Sequence, residues 1–228
     1  MLDGRFRGPV DRAVRPLGVL LNKTRLSPDQ LTLMGLLLGI AAAIAIASGR
    51  LLVGLILVVF AGLPDLLDGP LAKASGTTSE RGAFFDSTID RVTDALLFGG
   101  IGWYFARTES PLMVMLPFAV LAVAQIISYQ RAKAESLGLD AKGGLMERAE
   151  RVVLLCVGLA FPVLLIPILW LMLVLSAATA VQRFVKIWRQ AEVAPKVQER
   201  IDLRRARRQS RRIGRAQRRR ARVPRRRI

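Results

Sequence analysis

Residues 64–95 read PDLLDGPLAKASGTTSERGAFFDSTIDRVTDA, a polar stretch lying between two of the most apolar runs in the chain. Five of its residues are aspartates: Asp65, Asp68, Asp86, Asp90 and Asp94. Carboxylates at the ends of hydrophobic segments are costly in a bilayer unless they are paired, hydrated or bound to a metal. The flanking sequence shows that a bilayer is the relevant solvent. Residues 31–48 (LTLMGLLLGIAAAIAIAS) carry no charge, and as a helix they span about 27 Å, close to a hydrocarbon core. Further apolar runs cover 51–64, 95–106, 112–129, 152–165 and 167–181, and hydrophobic residues make up 52% of the 228. The expected fold is therefore an all-α integral membrane protein with six transmembrane helices. Pro162 and Pro167 mark a hairpin or a kink between the last two.

The basic residues support that count. Arg5, Arg7, Arg12, Arg15, Lys23 and Arg25 precede the first run. Lys73, Arg81 and Arg91 lie between runs two and three, and Arg131, Lys133, Lys142, Arg148 and Arg151 between runs four and five. Nineteen more of the 35 Lys and Arg fall at or after Arg183. The intervening connections hold only Arg50 and Arg107. Basic and non-basic connections alternate under a six-helix count, which places both termini and the aspartate stretch in the cytoplasm of a multi-pass plasma-membrane protein. The domain organisation follows: an N-terminal juxtamembrane amphipathic segment at 1–30, a six-helix domain at 31–188 and an arginine-rich cytoplasmic tail at 189–228. The tail carries much of the net charge of +18. It is expected to lie on anionic headgroups, with nucleic acid as the alternative partner. The opening MLDGRFRGPVDRAVRPL has no early apolar core of the kind a cleaved leader needs.

Chemistry is bounded by two scarcities. The single cysteine, Cys156, cannot form an intramolecular disulfide, and with no histidine any metal must be held by oxygen ligands. Asp65 and Asp68 are three apart, Asp86 and Asp90 four apart, with Asp94 another turn on; on helices each set shares a face. If the two helices are antiparallel neighbours, four carboxylates converge at one depth and repel. One or two divalent cations relieve that repulsion and leave positions for phosphate oxygens. Gly69 and Gly82 remove side chains where a ligand or helix must approach, and Pro70 interrupts regular helix. The plain alternative is that these aspartates only cap helices in water.

Asp65-x2-Asp68-Gly69-x2-Ala72-Lys73-x8-Gly82-x3-Asp86-x3-Asp90 resembles the signature of the CDP-alcohol phosphotransferase (CDP-alcohol phosphatidyltransferase) family, D-x2-D-G-x2-A-R-x8-G-x3-D-x3-D. Every spacing matches. Lys73 stands where the family has arginine, which keeps the charge but loses the bidentate fork. The resemblance implies six membrane helices with the active site at the cytoplasmic membrane interface. It also implies transfer of a phosphatidyl group from a CDP-linked lipid such as CDP-diacylglycerol to an alcohol, releasing CMP. By resemblance, Asp65, Asp68, Asp86 and Asp90 ligate Mg²⁺ or Mn²⁺, two ions being expected, and Asp90 also serves as general base. Gly69, Ala72, Lys73 and Gly82, with Pro28, Asp29 and Thr32 of the turn LSPDQLT, are the expected CDP-lipid contacts.

ISYQRAKAESLGLDAKGGLMERAERVV (127–153) and AVQRFVKIW (180–188) are similar to the branch of the family whose acceptor is inositol 1-phosphate, the phosphatidylinositol phosphate synthases. The resemblance implies that basic residues here bind the acceptor phosphate: Arg131, Lys133, Arg148, Arg151 and Arg183. Arginine suits a dianionic phosphate because it can grip it bidentately. Asp94, one turn from the base, is placed to meet an acceptor hydroxyl. Glycerol 3-phosphate also presents a phosphate, so phosphatidylglycerophosphate synthesis is the alternative. An ion-coupled transporter and a non-catalytic anchor acting through its tail are readings of other classes. Against a transporter, the first, fourth and sixth apolar runs contain no carboxylate. Family members are commonly dimers, which makes a homodimer the expectation, and Gly99, Gly100 and Gly102 permit close packing within or between chains.

Overall fold

The computed structural model describes residues 28–62, 79–141 and 143–191. Among them there is no strand, and six α-helices follow one another: α1 Pro28–Ala47, α2 Leu51–Gly62, α3 Glu80–Thr108, α4 Pro111–Ser136, α5 Arg148–Ala160 and α6, residues 165–191. A 3₁₀ turn, Pro162–Leu164, joins the last two, so Pro162 ends one helix and opens the next rather than kinking a single long one. Three segments, Asp29–Ala47, Pro111–Ser136 and Pro162–Ala191, are long and apolar enough to cross a membrane, and α2 is a shorter apolar helix.

Two helices extend well beyond their apolar runs. Apolarity in α3 begins near Ala95, yet the helix starts at Glu80 because Ser79 caps it, its hydroxyl accepting from the Gly82 amide at 3.0 Å. The 29 residues of α3 reach about 44 Å, so its first turns stand clear of the apolar half and carry the aspartates. Likewise α6 continues past Val181 to Ala191 and brings Arg183, Lys186 and Gln190 to the same end.

Close contacts fix the helix directions. A Cβ on Gly39 would come within 2.8 Å of Thr93 Cγ2, and one on Gly100 within 2.6 Å of the Ala43 carbonyl oxygen. Helices α1 and α3 therefore run parallel with backbones touching, an approach that small residues allow in a membrane. Helix α4 runs antiparallel to α3: Phe118 lies against Gly102, and the Gln125 amide donates to the Arg91 carbonyl. Ion pairs from Asp90 to Arg148 and from Asp94 to Arg151 make α5 parallel to α3, and α6 returns antiparallel. The core between them holds Ile46, Val58, Phe98, Ile101, Phe105, Val120, Leu159, Leu169 and Met172. Large apolar side chains also cover the outside, among them Leu37, Ile44, Leu52, Trp103, Leu112, Val163 and Val174. In water such a surface would be a liability; against lipid it is the favoured one.

Candidate active site

The site sits where the polar ends of α3, α5 and α6 meet. On α3, Asp86, Asp90 and Asp94 recur every four residues, above Gly82, and form one stripe. Burial deepens along it: Asp94 is only 9% exposed. A carboxylate that far from water needs partners, and α5 supplies them from its first turn. Arg148 Nη1 lies 2.9 Å from Asp90 Oδ1, and its Nε lies 3.6 Å from Asp94 Oδ1. Arg151 Nη2 donates to Asp94 Oδ2 at 3.2 Å. Arg91 Nη1, on α3 itself, sits 3.5 Å from Asp90 Oδ2. Carboxylate and guanidinium thus alternate along Asp90, Arg148, Asp94 and Arg151.

The aim of those arginines depends on how α5 begins. Glu147 is its N-cap: the Glu147 side chain accepts from the N3 amide, and the Glu150 side chain accepts from the Glu147 amide at 3.1 Å. This reciprocal box satisfies two otherwise orphaned donors. Arg148 and Arg151, three apart, then project from adjacent turns of the same face.

Helix α6 clamps the preceding loop. The Thr179 hydroxyl accepts from the amides of Leu145 and Met146, at 3.2 and 3.0 Å. A Cβ on Gly144 would lie 2.5 Å from Thr179 Cγ2, and Gly143 holds φ +92°, so both positions of this pair need glycine, one for space and one for backbone conformation. Arg183 donates through Nη2 to the Gly143 carbonyl and to Glu147 Oε1, each at 3.0 Å, and through Nη1 to the Ile127 carbonyl of α4 at 3.0 Å. Its side chain is 2% exposed. Further along, Lys186 Nζ lies 2.9 Å from Asp140 Oδ2, and Gln190 bonds both the amide and the carbonyl of Asp140.

Of the residues singled out from sequence, Asp90, Asp94, Arg148 and Arg151 come together directly, and Arg183 joins them through Glu147. Arg131 is a charged neighbour of Arg183, although its Nε pairs with Glu135 at 3.1 Å. Lys133 is exposed on α4. At the other side, Pro28 opens α1, Thr32 is buried, and Asp29 Oδ1 lies 3.8 Å from where a Gly82 Cβ would be. The expected nucleotide contacts Asp29 and Gly82 are therefore neighbours across α1 and α3. Asp65, Asp68, Gly69, Ala72, Lys73 and the tail beyond Ala191 lie outside the described residues.

Two features escaped the sequence reading. Glu147 carries the signal of a capping box, an acid three residues before Glu150, but glutamate is not among the preferred N-caps. Thr179 looks like one more small residue in an apolar helix. Two nitrogens are also informative. Nε of Arg151 and Nε of Arg183 are buried and have no acceptor among the described residues. Buried donors are normally satisfied, so this corner has capacity for an anion.

The donors present suit a hard divalent ion. Asp86 and Asp90 offer oxygen ligands one turn apart on a helix that carries no softer alternative. They fall short of a complete site alone: among the described residues no three acidic, histidine or cysteine side chains group around a point.

Comparison with known proteins agrees in sequence and in shape. The sequence model of the CDP-alcohol phosphatidyltransferase family matches residues 25–188. A phosphatidylinositol phosphate synthase of Streptomyces avermitilis is 36% identical over 208 residues, 85% of each chain. One from Mycobacterium marinum is 34% identical over 192 residues, 80% of this chain and 82% of its own. Among solved structures, the Mycobacterium tuberculosis phosphatidylinositol phosphate synthase with CDP-DAG bound superposes with a TM-score of 0.72 at 33% identity, covering 78% of this chain and 94% of that one. The same enzyme in complex with manganese and citrate gives a TM-score of 0.71, covering 77% and 88%. The chain is a transferase and belongs to the CDP-alcohol phosphatidyltransferase family.

Proposed function

We propose that the protein transfers the phosphatidyl group of CDP-diacylglycerol to inositol 1-phosphate, releasing CMP and forming phosphatidylinositol phosphate. The observation that carries this reading is the pair of buried, unsatisfied guanidinium nitrogens on Arg151 and Arg183, beside a carboxylate placed to act as base. A phosphorylated alcohol brings the charged acceptor oxygens that suit those guanidinium donors; an unphosphorylated one brings only neutral hydroxyls.

Asp65, Asp68, Asp86 and Asp90 would hold two divalent ions, Mg²⁺ or Mn²⁺, which neutralise the diphosphate and the departing CMP when bound. Asp90 takes the proton of the attacking hydroxyl. That oxygen bonds to the phosphorus bearing the diacylglycerol, and the bond from that phosphorus to the CMP oxygen breaks. Arg148 and Arg151 grip the acceptor phosphate, with Arg183, Arg131 and Lys133 completing the cationic wall, while Asp94 meets an acceptor hydroxyl. Asp29, Thr32 and Gly82, with Pro28, Gly69, Ala72 and Lys73, line the nucleotide side. Holding the acceptor between two arginine-bearing turns supplies orientation as well as affinity.

The setting is a plasma-membrane protein crossing the bilayer six times, with both termini and the active site on the cytoplasmic side and a homodimer as the working form. The alternating directions of α3 to α6, with α1 parallel to α3, support the six-span reading. The tail, at 189–228, follows as an arm for anionic headgroups. The test is CMP release by purified protein from CDP-diacylglycerol and Mg²⁺, with inositol 1-phosphate, glycerol 3-phosphate, inositol or serine in parallel. Turnover with inositol 1-phosphate is expected. Turnover with glycerol 3-phosphate instead would keep the family and remove the acceptor, and turnover with inositol alone would remove the phosphate pocket.

A further inference from the structure

We propose that Glu147 is a positioning residue that welds Arg183 to the first turn of α5, so that Arg148, Arg151 and Arg183 act as one site for the acceptor's phosphate. The inference rests on the acceptor reading above and adds to it a residue to which the family resemblance assigns no role. Glutamate is an uncommon N-cap; serine, threonine, aspartate and asparagine do that work with shorter side chains. Here the longer side chain does two things at once. It accepts the N3 amide of α5, and it reaches Arg183 Nη2 at 3.0 Å. Both partners are well buried, at 2% and 13% side-chain exposure.

Arg183 needs that carboxylate. Its other charged neighbours include Arg131 and Arg151, which repel it, and it also donates to the backbone carbonyls of Ile127 and Gly143, which carry no countercharge. Without Glu147, a buried guanidinium beside two others has no counter-charge and gains by swinging toward water. The same loss removes the side-chain acceptor of the N3 amide in the first turn of α5, leaving that turn with its backbone bond from Arg151 N to Glu147 O at 3.2 Å. Arg148 and Arg151 are aimed at Asp90 and Asp94 by that turn. Glu147 also carries a negative charge that opposes an incoming phosphate. The surrounding arginines offset that repulsion, whereas removing one partner from a buried pair is the larger effect.

The experiment uses full-length protein with three variants. Glu147→Ser keeps a cap and loses Arg183, Glu147→Gln keeps both contacts without the charge, and Glu147→Ala loses both. Steady-state KM is measured separately for inositol 1-phosphate and CDP-diacylglycerol, with thermal unfolding alongside and inorganic phosphate binding followed by calorimetry. Glu147→Ser should raise the acceptor KM by about tenfold or more, leave the lipid KM within about twofold and unfold near the wild-type temperature. Phosphate binding should weaken in parallel, and Glu147→Gln should recover part of the loss.

A Glu147→Ser enzyme with unchanged acceptor KM overturns the proposal. So does a variant series in which both KM values and the unfolding temperature move together, because Glu147 would then be only a cap. Tighter phosphate binding on removal of Glu147 also sinks it, since the carboxylate would then be a mere competitor. If the wild-type enzyme prefers glycerol 3-phosphate, or turns over neither acceptor, the proposed function fails on its own. The phosphate-binding series still decides the role of Glu147.

Discussion

The two halves of α3 are held to their neighbours by opposite means. Beyond Ala95 the helix is packed by subtraction: Gly100 sits against the Ala43 backbone with no room for a methyl group, and Gly102 lies under the Phe118 ring. Before Ala95 it is packed by addition: Asp90 and Asp94 each meet guanidinium groups from α5, and α5 is tied in turn to α6 through Glu147 and Arg183. In lipid no hydrophobic effect drives helix to helix, so close backbone approach does the work. At the polar end water competes for every group, and only paired, partly buried charges hold a fixed geometry. The apolar half should therefore fail when something is added, and the charged half when one partner is removed.

The largest expected effect comes from the charged half and is catalytic. Asp90→Asn preserves shape but removes the proposed base, so CMP release should fall by about 10²- to 10⁴-fold, far more than the lost ion pair with Arg148 lowers thermal stability. If turnover survives within a few-fold, the base lies elsewhere. The next test is structural. Arg151→Ala leaves Asp94 buried with its closest hydrogen-bond donor gone, a loss on the order of 3–5 kcal/mol when a buried pair is broken. The double variant Arg151→Met with Asp94→Leu should regain most of that stability while remaining poor in turnover. A single variant as stable as wild type would show that water already reaches Asp94.

Much of this contrast was legible in the sequence, and the missing parts share a cause. Apolar runs and the spacing of Asp86, Asp90 and Asp94 are local patterns, and each emerges on the element expected of it. The start of α3 was not visible because hydropathy marks where a helix enters lipid, whereas Ser79 and its bond to the Gly82 amide mark where the helix begins. The reach of α6 past Val181 has the same origin: its last turns are held by Gly143, Glu147 and Asp140, side chains and carbonyls from a distant loop. Pairing across more than thirty residues, as between Arg183 and Glu147, leaves no periodic trace. Arg131 shows the converse. Its candidate role came from a basic cluster, yet in the structure its Nε pairs with Glu135 one turn along its own helix.

A smaller effect is expected from adding a methyl group to the apolar half. Gly100→Ala would place Cβ 2.6 Å from the Ala43 carbonyl oxygen, with Ala43 Cα at 3.1 Å. Backbone cannot move aside as a flexible side chain can, so α1 and α3 must separate, at about 1–3 kcal/mol. The unfolding temperature should drop while the ratio of the two substrate KM values stays put. Gly99→Ala on the same turn is the control, because nothing lies within 4 Å of its Cβ position and helix propensity alone favours alanine there; an equal loss at both positions would mean that contact with Ala43 is not what limits Gly100.

The smallest effect belongs to the outermost clasp, where Lys186 meets Asp140 with side chains 43% and 59% exposed. An exposed pair of this kind contributes roughly 0.2–1 kcal/mol, and salt weakens it further. Lys186→Ala should therefore change thermal unfolding slightly at low salt and not at all at high salt. The comparison with Glu147 sharpens the division drawn above, because both pairs fasten the same loop to α6. If Lys186→Ala raised the acceptor KM as much as Glu147→Ser, loop closure as a whole would govern the pocket. If only Glu147→Ser does so, the buried carboxylate is what holds the arginines in register, and the loop beyond it is merely cover.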